Sequence, residues 1–337
     1  MRDIRNHSLL HHNTFGIDVS CRRFIEFDTK AELLDALSGL TEADRPIMPL
    51  GKGSNLLLTK DFDGTVLCSN IRSTDFSIND HEAVIRSGSG VVWDDLVEAC
   101  VEQGAYGLEN LSLIPGTVGA AAVQNIGAYG SEVNHFIHSV TAVEIATGHE
   151  VTFARAECEY AYRYSKFKDE WKNRFVITDV EFRFDCTYRP RLDYGNIRAA
   201  LQRQGIERPT PRQLRQTIIA IRQAKLPDPQ VQGNAGSFFM NPIVGRKEYE
   251  RLAMQHPQMP HYAVDDEHEK IPAGWLIEQC GWKGRSMGAA GVHDKQALVL
   301  VNRGGATGSD IVKLCEAIRH DVSQRFGIII KPEVNIL

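Results

Sequence analysis

The sequence has no C-x-x-C pair, although it contains seven cysteines. The cysteines are scattered and odd in number: Cys21, Cys68, Cys100, Cys158, Cys186, Cys280 and Cys315. Disulfide frameworks use even numbers of cysteines and zinc sites use closely spaced ones, so we expect neither a disulfide framework nor a metal site. The pattern favours a reducing compartment, and we predict a cytoplasmic location.

Long apolar segments and an excess of basic residues are also missing. No run approaches the roughly 20 apolar residues of a membrane helix. The N-terminal residues Met1-Arg2-Asp3-Ile4-Arg5 do not lead into the apolar core of a signal peptide. The chain has 38 Lys and Arg against 43 Asp and Glu, a net charge of −5. Nucleic-acid binders normally carry a basic excess, so we expect no membrane and no nucleic-acid partner.

The overall composition is that of a soluble globular protein, with 42% hydrophobic and 24% charged residues. A chain of 337 residues exceeds one ordinary core, so two or three domains are expected. The composition shifts after Arg198. We place a boundary around residues 204–209, just before Thr210-Pro211-Arg212-Gln213, which is typical of a helix start.

Apolar spacing and end signals predict several further elements. A capping box at Thr29 opens a helix whose buried face is expected to carry Ala31, Leu34 and Leu37. The other predicted elements are strands at 23–28, 180–184, 297–301 and 328–334, a hairpin at 140–153, and helices at 93–101, 214–221, 275–280 and 311–322.

A glycine loop, Gly51-Lys52-Gly53-Ser54-Asn55, separates two strand-like segments. A dinucleotide-binding fingerprint would need a third glycine and a helix after the turn, and neither is present. A Rossmann site is therefore excluded. A loop of exposed backbone N–H groups can still bind a phosphate without a helix behind it. The alternative is a plain β-turn.

Residues 106–130 contain five glycines and a single charged residue, Glu109. From Gly119 to Gly130 the side chains are almost all small. Such a segment has too little charge for a solvated linker and too little bulk to fill a core alone. We therefore predict that a large, flat ligand packs against it. The alternative is tight packing of a helix on a sheet.

The segment Gly233-Asn234-Ala235-Gly236-Ser237-Phe238-Phe239-Met240-Asn241-Pro242 has no helix or strand period. Its glycines and asparagines tolerate positive φ, so a sharp turn is expected. The two phenylalanines are predicted to anchor the turn by burying their rings, which would hold the Ser237 hydroxyl at the edge of a cavity. An ordinary loop with a buried aromatic pair is the alternative.

Together these segments resemble one family, the UDP-N-acetylenolpyruvoylglucosamine reductases, also called UDP-N-acetylmuramate dehydrogenases. The matching motifs occur in the family's order and span almost the whole chain. They are Asn13-Thr14-Phe15-Gly16, Leu50-Gly51-Lys52-Gly53-Ser54-Asn55, residues 109–130, Tyr162-Arg163-Tyr164-Ser165, Lys225-Leu226-Pro227-Asp228-Pro229, residues 233–242 and Lys331-Pro332-Glu333-Val334. Each motif alone is weak, and the ordered set is specific.

The resemblance implies an α+β fold, with two FAD-binding subdomains of the vanillyl-alcohol-oxidase type and a C-terminal α+β substrate domain. We expect the subdomains at 1–72 and 73–205 and the substrate domain at 206–327, with the last strand, 328–337, able to return to the first subdomain. The resemblance also implies FAD as the flat ligand, NADPH as the reductant, a nucleotide-sugar substrate and a monomeric chain.

The family reduces the enolpyruvyl ether of UDP-N-acetylglucosamine to the lactyl ether of UDP-N-acetylmuramate, in peptidoglycan synthesis. By match to its motifs, the flavin contacts are Gly51, Lys52, Gly53, Ser54, Asn55, Pro115, Gly116, Gly119, Asn125, Gly127, Ala128 and Tyr129. Residues 120–122 are alanines where relatives carry hydroxyls, so backbone contacts to the flavin are expected there.

The resemblance also assigns the polar residues of the reaction. Hydride addition at C3 of the substrate pushes negative charge through C2 into the carboxylate, and Arg163 and Glu333 match the residues that stabilise this charge. Ser237 matches the proton donor to C2. Tyr194 resembles the tyrosine that closes over the substrate in one subtype. The matches to diphosphate contacts are Lys225, Asn241 and Gln296.

The residues alone leave other interpretations open. Arg163 lies in a run of aromatic and basic residues that is also typical of an amphipathic surface, and Glu333 is also typical of a solvated strand face. A flavin oxidase of the same superfamily would not need a proton donor such as Ser237. A serine hydrolase is disfavoured because the G-x-S-x-G turn is missing. A non-catalytic nucleotide-sugar binder is a further alternative.

Overall fold

Helix ends follow the capping residues of the sequence. In the computed structural model, which describes residues 1–337, the Thr29 hydroxyl accepts a hydrogen bond from the Glu32 N–H at 3.2 Å. Thr210 and Gln213 form a reciprocal capping box. The helices are α1 (Lys30–Ser38), α2 (Trp93–Gln103), α3 (Val118–Gln124), α4 (Ile197–Arg203), α5 (Pro211–Lys225), α6 (Arg246–Gln255), α7 (Ala273–Gln279) and α8 (Gly308–Phe326). None of them is long and apolar enough to cross a membrane.

Most of the strands are short. They are β1 (Arg2–Ser8), β2 (Ser20–Phe27), β3 (Ile47–Leu50), β4 (Leu56–Leu57), β5 (Phe62–Ser69), β6 (Thr74–Ile78), β7 (Glu82–Gly88), β8 (Gly127–Ala128), β9 (Ser131–Glu132), β10 (Ile137–Glu144), β11 (Glu150–Ala154), β12 (Phe175–Asp185), β13 (Asn234–Ser237), β14 (Ile243–Gly245), β15 (Tyr262–Ala263), β16 (His268–Lys270), β17 (Ser286–Met287), β18 (Ala290–Val292), β19 (Val299–Asn302) and β20 (Asn335–Ile336).

The chain forms two compact units, each built from non-contiguous segments. The first unit comprises Met1–Ser8, Ser20–Lys52 and Phe62–Ala224, and the second comprises Leu9–Val19, Gly53–Asp61 and Lys225–Leu337. The division of the chain into ranges 1–72, 73–205 and 206–327 stays a prediction.

The first unit contains two larger sheets and the two-stranded antiparallel sheet β8-β9. One has the order β1-β2-β5-β3, in which β1 and β2 are antiparallel and the other pairs are parallel. The other is the antiparallel sheet β11-β10-β12-β7-β6. The predicted hairpin is β10 and β11, and the predicted alternation over 180–184 is confirmed in β12, where Val180, Phe182 and Phe184 are buried.

The second unit has a core between the sheet β13-β19-β18-β17 and helices α7 and α8. Helix α8 has the predicted buried face, with Ile311, Leu314, Ile318 and Val322 fully buried. Burying each such side chain contributes about 1.5–3 kcal/mol. A smaller sheet, β14-β16-β15, and the parallel pair β20-β4 complete the unit.

Two sequence-based expectations are wrong. Helix α1 buries Leu33, Ala36 and Leu37 and leaves Leu34 36% exposed. Adjacent leucines fit two faces equally well, so spacing alone could not choose between them. The predicted strand at 328–334 forms no ladder. Its apolar residues Ile328, Ile330 and Val334 are buried in the core, and regular pairing begins only at β20. Helices α3, α4 and α6 were not predicted.

Candidate functional site

The loop at 51–55 joins β3 to β4 as predicted. In the first unit, a Cβ at Gly51 would lie 3.0 Å from Thr117 Oγ1 and 3.2 Å from the Ala120 Cβ. The loop therefore approaches the first turn of α3 so closely that a side chain would crowd it. Lys52 is exposed at this position. In the second unit, Gly53 has φ of 62°, and a Cβ there would overlap the His12 carbonyl oxygen.

Helix α3 accounts for the small side chains at 118–124. A Cβ at Gly119 would lie 2.8 Å from the Ser89 Cβ, and the Gly119 N–H donates to the Ser89 carbonyl at 3.0 Å. One face of the helix is buried, and Ala120 and Val123 are only half-buried. The alternative of tight helix–sheet packing is therefore correct for one face. The half-buried face, continued by Gly127 to Tyr129, is uncharged and small and is where a flat ligand could pack.

Asn125 ends α3 in the left-handed region, with φ of 46°, and is fully buried. Its Nδ2 donates to Glu132 Oε2 at 2.9 Å and to the Ala161 carbonyl at 2.8 Å. Its Oδ1 accepts from the N–H and from the Nδ2 of Asn134. Both donors and the acceptor of the side chain are used, so the predicted flavin contact of Asn125 concerns its backbone.

Arg163 lies beside the half-buried segment at Gly127. Its Nη2 donates to the Gly127 carbonyl at 2.7 Å, and its guanidinium lies 5.2 Å from the Tyr162 ring centroid. Arg163 has φ of 57°, a conformation that few non-glycine residues adopt and that is common at functional positions. The first unit thus brings together Arg163 and the Gly127–Tyr129 group of predicted flavin contacts.

Tyr194 contacts Gly130, the residue that follows this segment. A Cβ at Gly130 would lie 3.3 Å from the Tyr194 Cβ, and Tyr194 is 38% exposed. The phenol of Tyr129 has its pKa raised by burial, and the nearby Arg222 partly offsets this effect. Burial in turn lowers the pKa of Arg222. Arg222 was not singled out from the sequence, since an arginine on an amphipathic helix normally faces solvent.

Ser237 is the last residue of β13 and lies opposite Val299 of β19. The loop formers predicted a sharp turn, whereas the structure has the short strand β13 with a bend at Gly236 inside it, where the pairing with β19 shifts register, and an extended segment follows. Residues 233–242 are called the Ser237 turn below. Phe238 and Phe239 are fully buried, as predicted, with their ring centroids 5.2 Å apart. Among the glycines and asparagines of this segment only Gly236 has positive φ, at 66°. The side chain of Asn234 accepts from the Gly236 N–H at 2.9 Å and supports that turn.

Glu333 lies beside the Ser237 turn within the second unit. The Glu333 N–H donates to the Phe238 carbonyl at 2.8 Å, and the Met240 N–H donates to the Lys331 carbonyl at 2.9 Å. The side chain of Asn55 donates to the Glu333 carbonyl at 3.4 Å. The structure therefore brings the backbone of Glu333 next to Phe238, the neighbour of Ser237, and next to the Asn55 side chain, although these residues are distant in sequence.

The three predicted diphosphate contacts differ in their surroundings. Asn241 Oδ1 accepts from the Ala273 N–H at 2.9 Å, at the first residue of α7. Gln296 Oε1 accepts from the Leu298 N–H at 3.3 Å, and the Leu298 carbonyl accepts from the Phe238 N–H at 2.7 Å. Gln296 is thus two residues from a residue bonded to the Ser237 turn. Lys225 is exposed at the end of α5.

Glu109 and Asn110, inside the charge-poor segment, are buried to 3% and 2% exposure. Glu109 Oε2 accepts from the Gly107 N–H at 2.9 Å, while Oε1 has no hydrogen-bond partner. Burial raises the pKa of this carboxyl. Asn110 was missed by sequence reasoning. Its position next to Glu109, the single charged residue of the segment, was the available signal.

Comparisons with known proteins cover both halves of the chain. Residues 22–154 match the family described as FAD binding domain, and residues 228–337 match the UDP-N-acetylenolpyruvoylglucosamine reductase C-terminal domain. The chain therefore is an FAD-binding oxidoreductase with a separate C-terminal domain. The predicted combination of helices and sheets in an FAD-binding part and a C-terminal domain is confirmed, and the vanillyl-alcohol-oxidase type stays a prediction.

The relatives define the family more narrowly. A UDP-N-acetylenolpyruvoylglucosamine reductase of Bacteroides fragilis is 52% identical over 335 residues, which is 99% of both chains. One from Burkholderia multivorans is 46% identical over 97% of this chain and 95% of its own. A solved UDP-N-acetylenolpyruvylglucosamine reductase from Thermus caldophilus, 21% identical, covers 99% of this chain and 98% of its own with a TM-score of 0.68, which supports the fold. The chain belongs to the UDP-N-acetylenolpyruvoylglucosamine reductase family.

Proposed function

We propose that this chain reduces UDP-N-acetylenolpyruvoylglucosamine to UDP-N-acetylmuramate with FAD and NADPH, in the synthesis of peptidoglycan precursors. The observation that carries the proposal is the 52% identity to a reductase of this name over 99% of both chains, which includes the FAD-binding half and the C-terminal half. A fold match alone would not support an activity, because one fold hosts many chemistries.

The residues of the first unit fit a flavin. The half-buried face formed by Ala120, Val123 and residues 126–129 is uncharged and combines small side chains with the apolar Val123 and Ile126 and the ring of Tyr129. Gly51 lies where a Cβ would crowd Thr117, so the loop keeps backbone N–H groups close to the start of α3. We assign the flavin to this face and its phosphates to the 51–55 loop, with backbone contacts dominating.

When bound, FAD would supply to C3 of the enolpyruvyl group the hydride that NADPH provides. The chain's own contribution at C2 is a proton, which we assign to the Ser237 hydroxyl. A serine hydroxyl is a weak acid, so it must be fixed in place and aimed at a strongly basic carbon. The buried rings of Phe238 and Phe239 and the pairing of Ser237 with Val299 provide that fixation.

Arg163 and Glu333 are assigned to the charge that develops on the substrate carboxylate. Arg163 is pre-oriented by its bond to the Gly127 carbonyl, and donors that need no reorganisation are the effective ones in stabilising developing charge. Glu333 is fixed through its backbone to Phe238. We assign Tyr194, Lys225, Asn241 and Gln296 to binding of the nucleotide-sugar substrate.

The absorbance spectrum of the purified protein is the first test. We expect flavin absorbance that NADPH bleaches under anaerobic conditions, and we expect the enolpyruvyl substrate to restore it. Restoration by oxygen alone, with no response to the substrate, would support a flavin oxidase instead. A colourless protein that takes up no added FAD would exclude the proposed function and leave a nucleotide-sugar binder.

We further propose that the protein acts as a cytoplasmic monomer. All seven cysteines are unpaired, which fits a reducing compartment, and NADPH and nucleotide sugars are cytoplasmic metabolites. Sedimentation equilibrium should give a mass near 37.7 kDa. A mass that doubles with concentration would contradict the monomer.

A further inference from the structure

Asn110 connects two segments of the first unit that are about 60 residues apart in sequence. Its Nδ2 donates to the Tyr129 carbonyl at 2.8 Å and to the Arg191 carbonyl at 3.0 Å. The residue is 2% exposed, so water does not compete strongly for these bonds. The short helical turn Glu109–Leu111 carries Asn110, and the Leu111 carbonyl of that turn is held by the Trp93 indole N–H at 2.9 Å.

The orientation of the Asn110 amide follows from its partners. Both neighbours are carbonyl oxygens, which only accept hydrogen bonds, so the group facing them must be the NH₂. The side chain uses both of its donors. A serine would offer one donor at this position, an alanine none, and an aspartate would place a carboxylate against two carbonyl oxygens.

The Tyr129 and Arg191 carbonyls belong to two segments that contact each other, and the first of these segments has a strained backbone at Tyr129. Tyr129 has φ of 49°, in the left-handed region that non-glycine residues seldom adopt, and Gly130 follows with φ of 77°. The Tyr194 side chain packs against Gly130, where a Cβ would lie 3.3 Å from the Tyr194 Cβ. The segment after Arg191 carries Tyr194 and is mostly exposed, so few buried contacts fix it.

We infer that Asn110 is a positioning residue for the substrate. It fixes the segment after Arg191 to the Tyr129–Gly130 turn, and it thereby determines the position of the Tyr194 side chain when the nucleotide sugar binds. Asn110 acts through backbone carbonyls and through Tyr194. The inference rests on the proposed function, because it gives a specificity role to the site that binds the nucleotide sugar.

Loss of both bonds should weaken binding of the nucleotide sugar and leave the other half-reaction intact. For Asn110→Ala we expect KM for the enolpyruvyl substrate to rise about tenfold, because two buried hydrogen bonds are lost. Asn110→Ser, with one donor, should show a smaller rise, and Asn110→Asp a larger one. Flavin reduction by NADPH should keep its wild-type rate. A matched control is Asn79→Ala, which also removes two hydrogen bonds of one asparagine, in the exposed β6–β7 turn.

A double-mutant cycle with Tyr194→Ala tests whether the effect passes through Tyr194. Asn110→Ala should add nothing to the KM of the Tyr194→Ala protein. Additive effects on KM, or an equal loss in both half-reactions, would overturn the inference.

Hydrogen exchange separates this inference from the proposed function, since it needs no turnover. Amides of residues 187–196 should exchange faster in Asn110→Ala than in the wild type, while those of β10 and β12 stay unchanged. Unchanged exchange at 187–196 overturns the positioning role even in an active enzyme. An inactive wild-type protein with the expected exchange pattern would reject the proposed function and retain the positioning of Tyr194.

Discussion

The Ser237 turn and residues 106–130 are both rich in glycine and both assigned to a ligand, but different forces hold them. Main-chain bonds to neighbouring segments and the buried rings of Phe238 and Phe239 hold the turn. Buried polar side chains hold the longer segment, above all Asn110 and Asn125.

The difference determines which groups of each region are available to a ligand. In the turn, the Ser237 side chain is assigned to proton donation, and the conformation of the turn does not depend on it. Ser237 can therefore be replaced without losing the turn. In residues 106–130 the polar side chains carry the structure, so the backbone and the small side chains are what remain for the flavin. Five substitutions test this contrast.

The largest expected effect is on catalysis in the turn. Ser237→Ala should lower turnover by about 10²–10⁴-fold, the usual contribution of a general acid, while NADPH still bleaches the flavin at the normal rate. The melting temperature should stay close to that of the wild type, because the anchors remain. Ser286→Ala, an exposed serine in strand β17 of the same sheet, is the control. Wild-type reoxidation of the reduced Ser237→Ala enzyme by substrate would reject the proton-donor role.

The next largest effect should be on stability in the other region. Asn125→Ala removes one hydrogen bond from each of Glu132, Asn134 and the Ala161 carbonyl, and a buried polar group left without a partner costs about 1–3 kcal/mol. We expect a lower free energy of unfolding in urea and weaker FAD binding. Asn173→Ala is a matched control, because Asn173 is exposed and also left-handed, with φ of 58°. Equal losses in the two variants would show that backbone strain, and not the polar network, explains the effect.

A smaller loss of stability is expected at two glycines of the turn, and its size should differ between them. A Cβ at Gly233 would overlap the Phe15 carbonyl oxygen, so Gly233→Ala should destabilise the fold by about 1–3 kcal/mol. Gly236 has φ of 66° with no atom within 4 Å of its Cβ position. Gly236→Ala should then cost only the left-handed strain, about 1–2 kcal/mol. Urea unfolding measures both, and a larger loss for Gly236→Ala would mean that conformation outweighs close packing here.

The smallest effect is a pH dependence at Glu109. Because burial raises the pKa of this carboxyl in the folded protein, the unfolded chain releases the proton first as the pH rises. Its contribution to stability is therefore complete below the ordinary glutamate pKa and declines above it, up to the folded pKa. Glu109→Gln should flatten that decline in melting temperature as the pH rises above the ordinary glutamate range. Glu207→Gln, on an exposed residue, should follow the wild type, and a wild-type slope in Glu109→Gln would contradict the assignment.

The predictable parts of this molecule are those that depend on local sequence. The helix starts at Thr29 and Thr210 were predicted correctly, because capping involves residues three or four apart. The buried face of α1 and the strand at 328–334 were wrong because both depend on a partner surface that the local sequence does not contain.

The site shows the same division. The buried rings of Phe238 and Phe239 and the glycine loop between two strands follow from residue types, and the structure has them. The roles of Asn110 and Asn125 could not be predicted, since their partners, Arg191 and Ala161, are 81 and 36 residues away. The individual roles of Ser237, Arg163 and Glu333 stay predictions until the variants are measured.

The second unit is assembled from three separate stretches of chain, and this has a consequence for the order of folding. Asn335 contacts Asn55 across 280 residues, and β4 pairs with β20. During synthesis, residues 9–19 and 53–61 leave the ribosome long before their partners exist, whereas every segment of the first unit is complete at residue 224. Contacts of such long range form slowly. The first unit is therefore expected to fold first. The two early segments of the second unit can complete their pairing only after the segments that carry Ser237 and Glu333 have been synthesised.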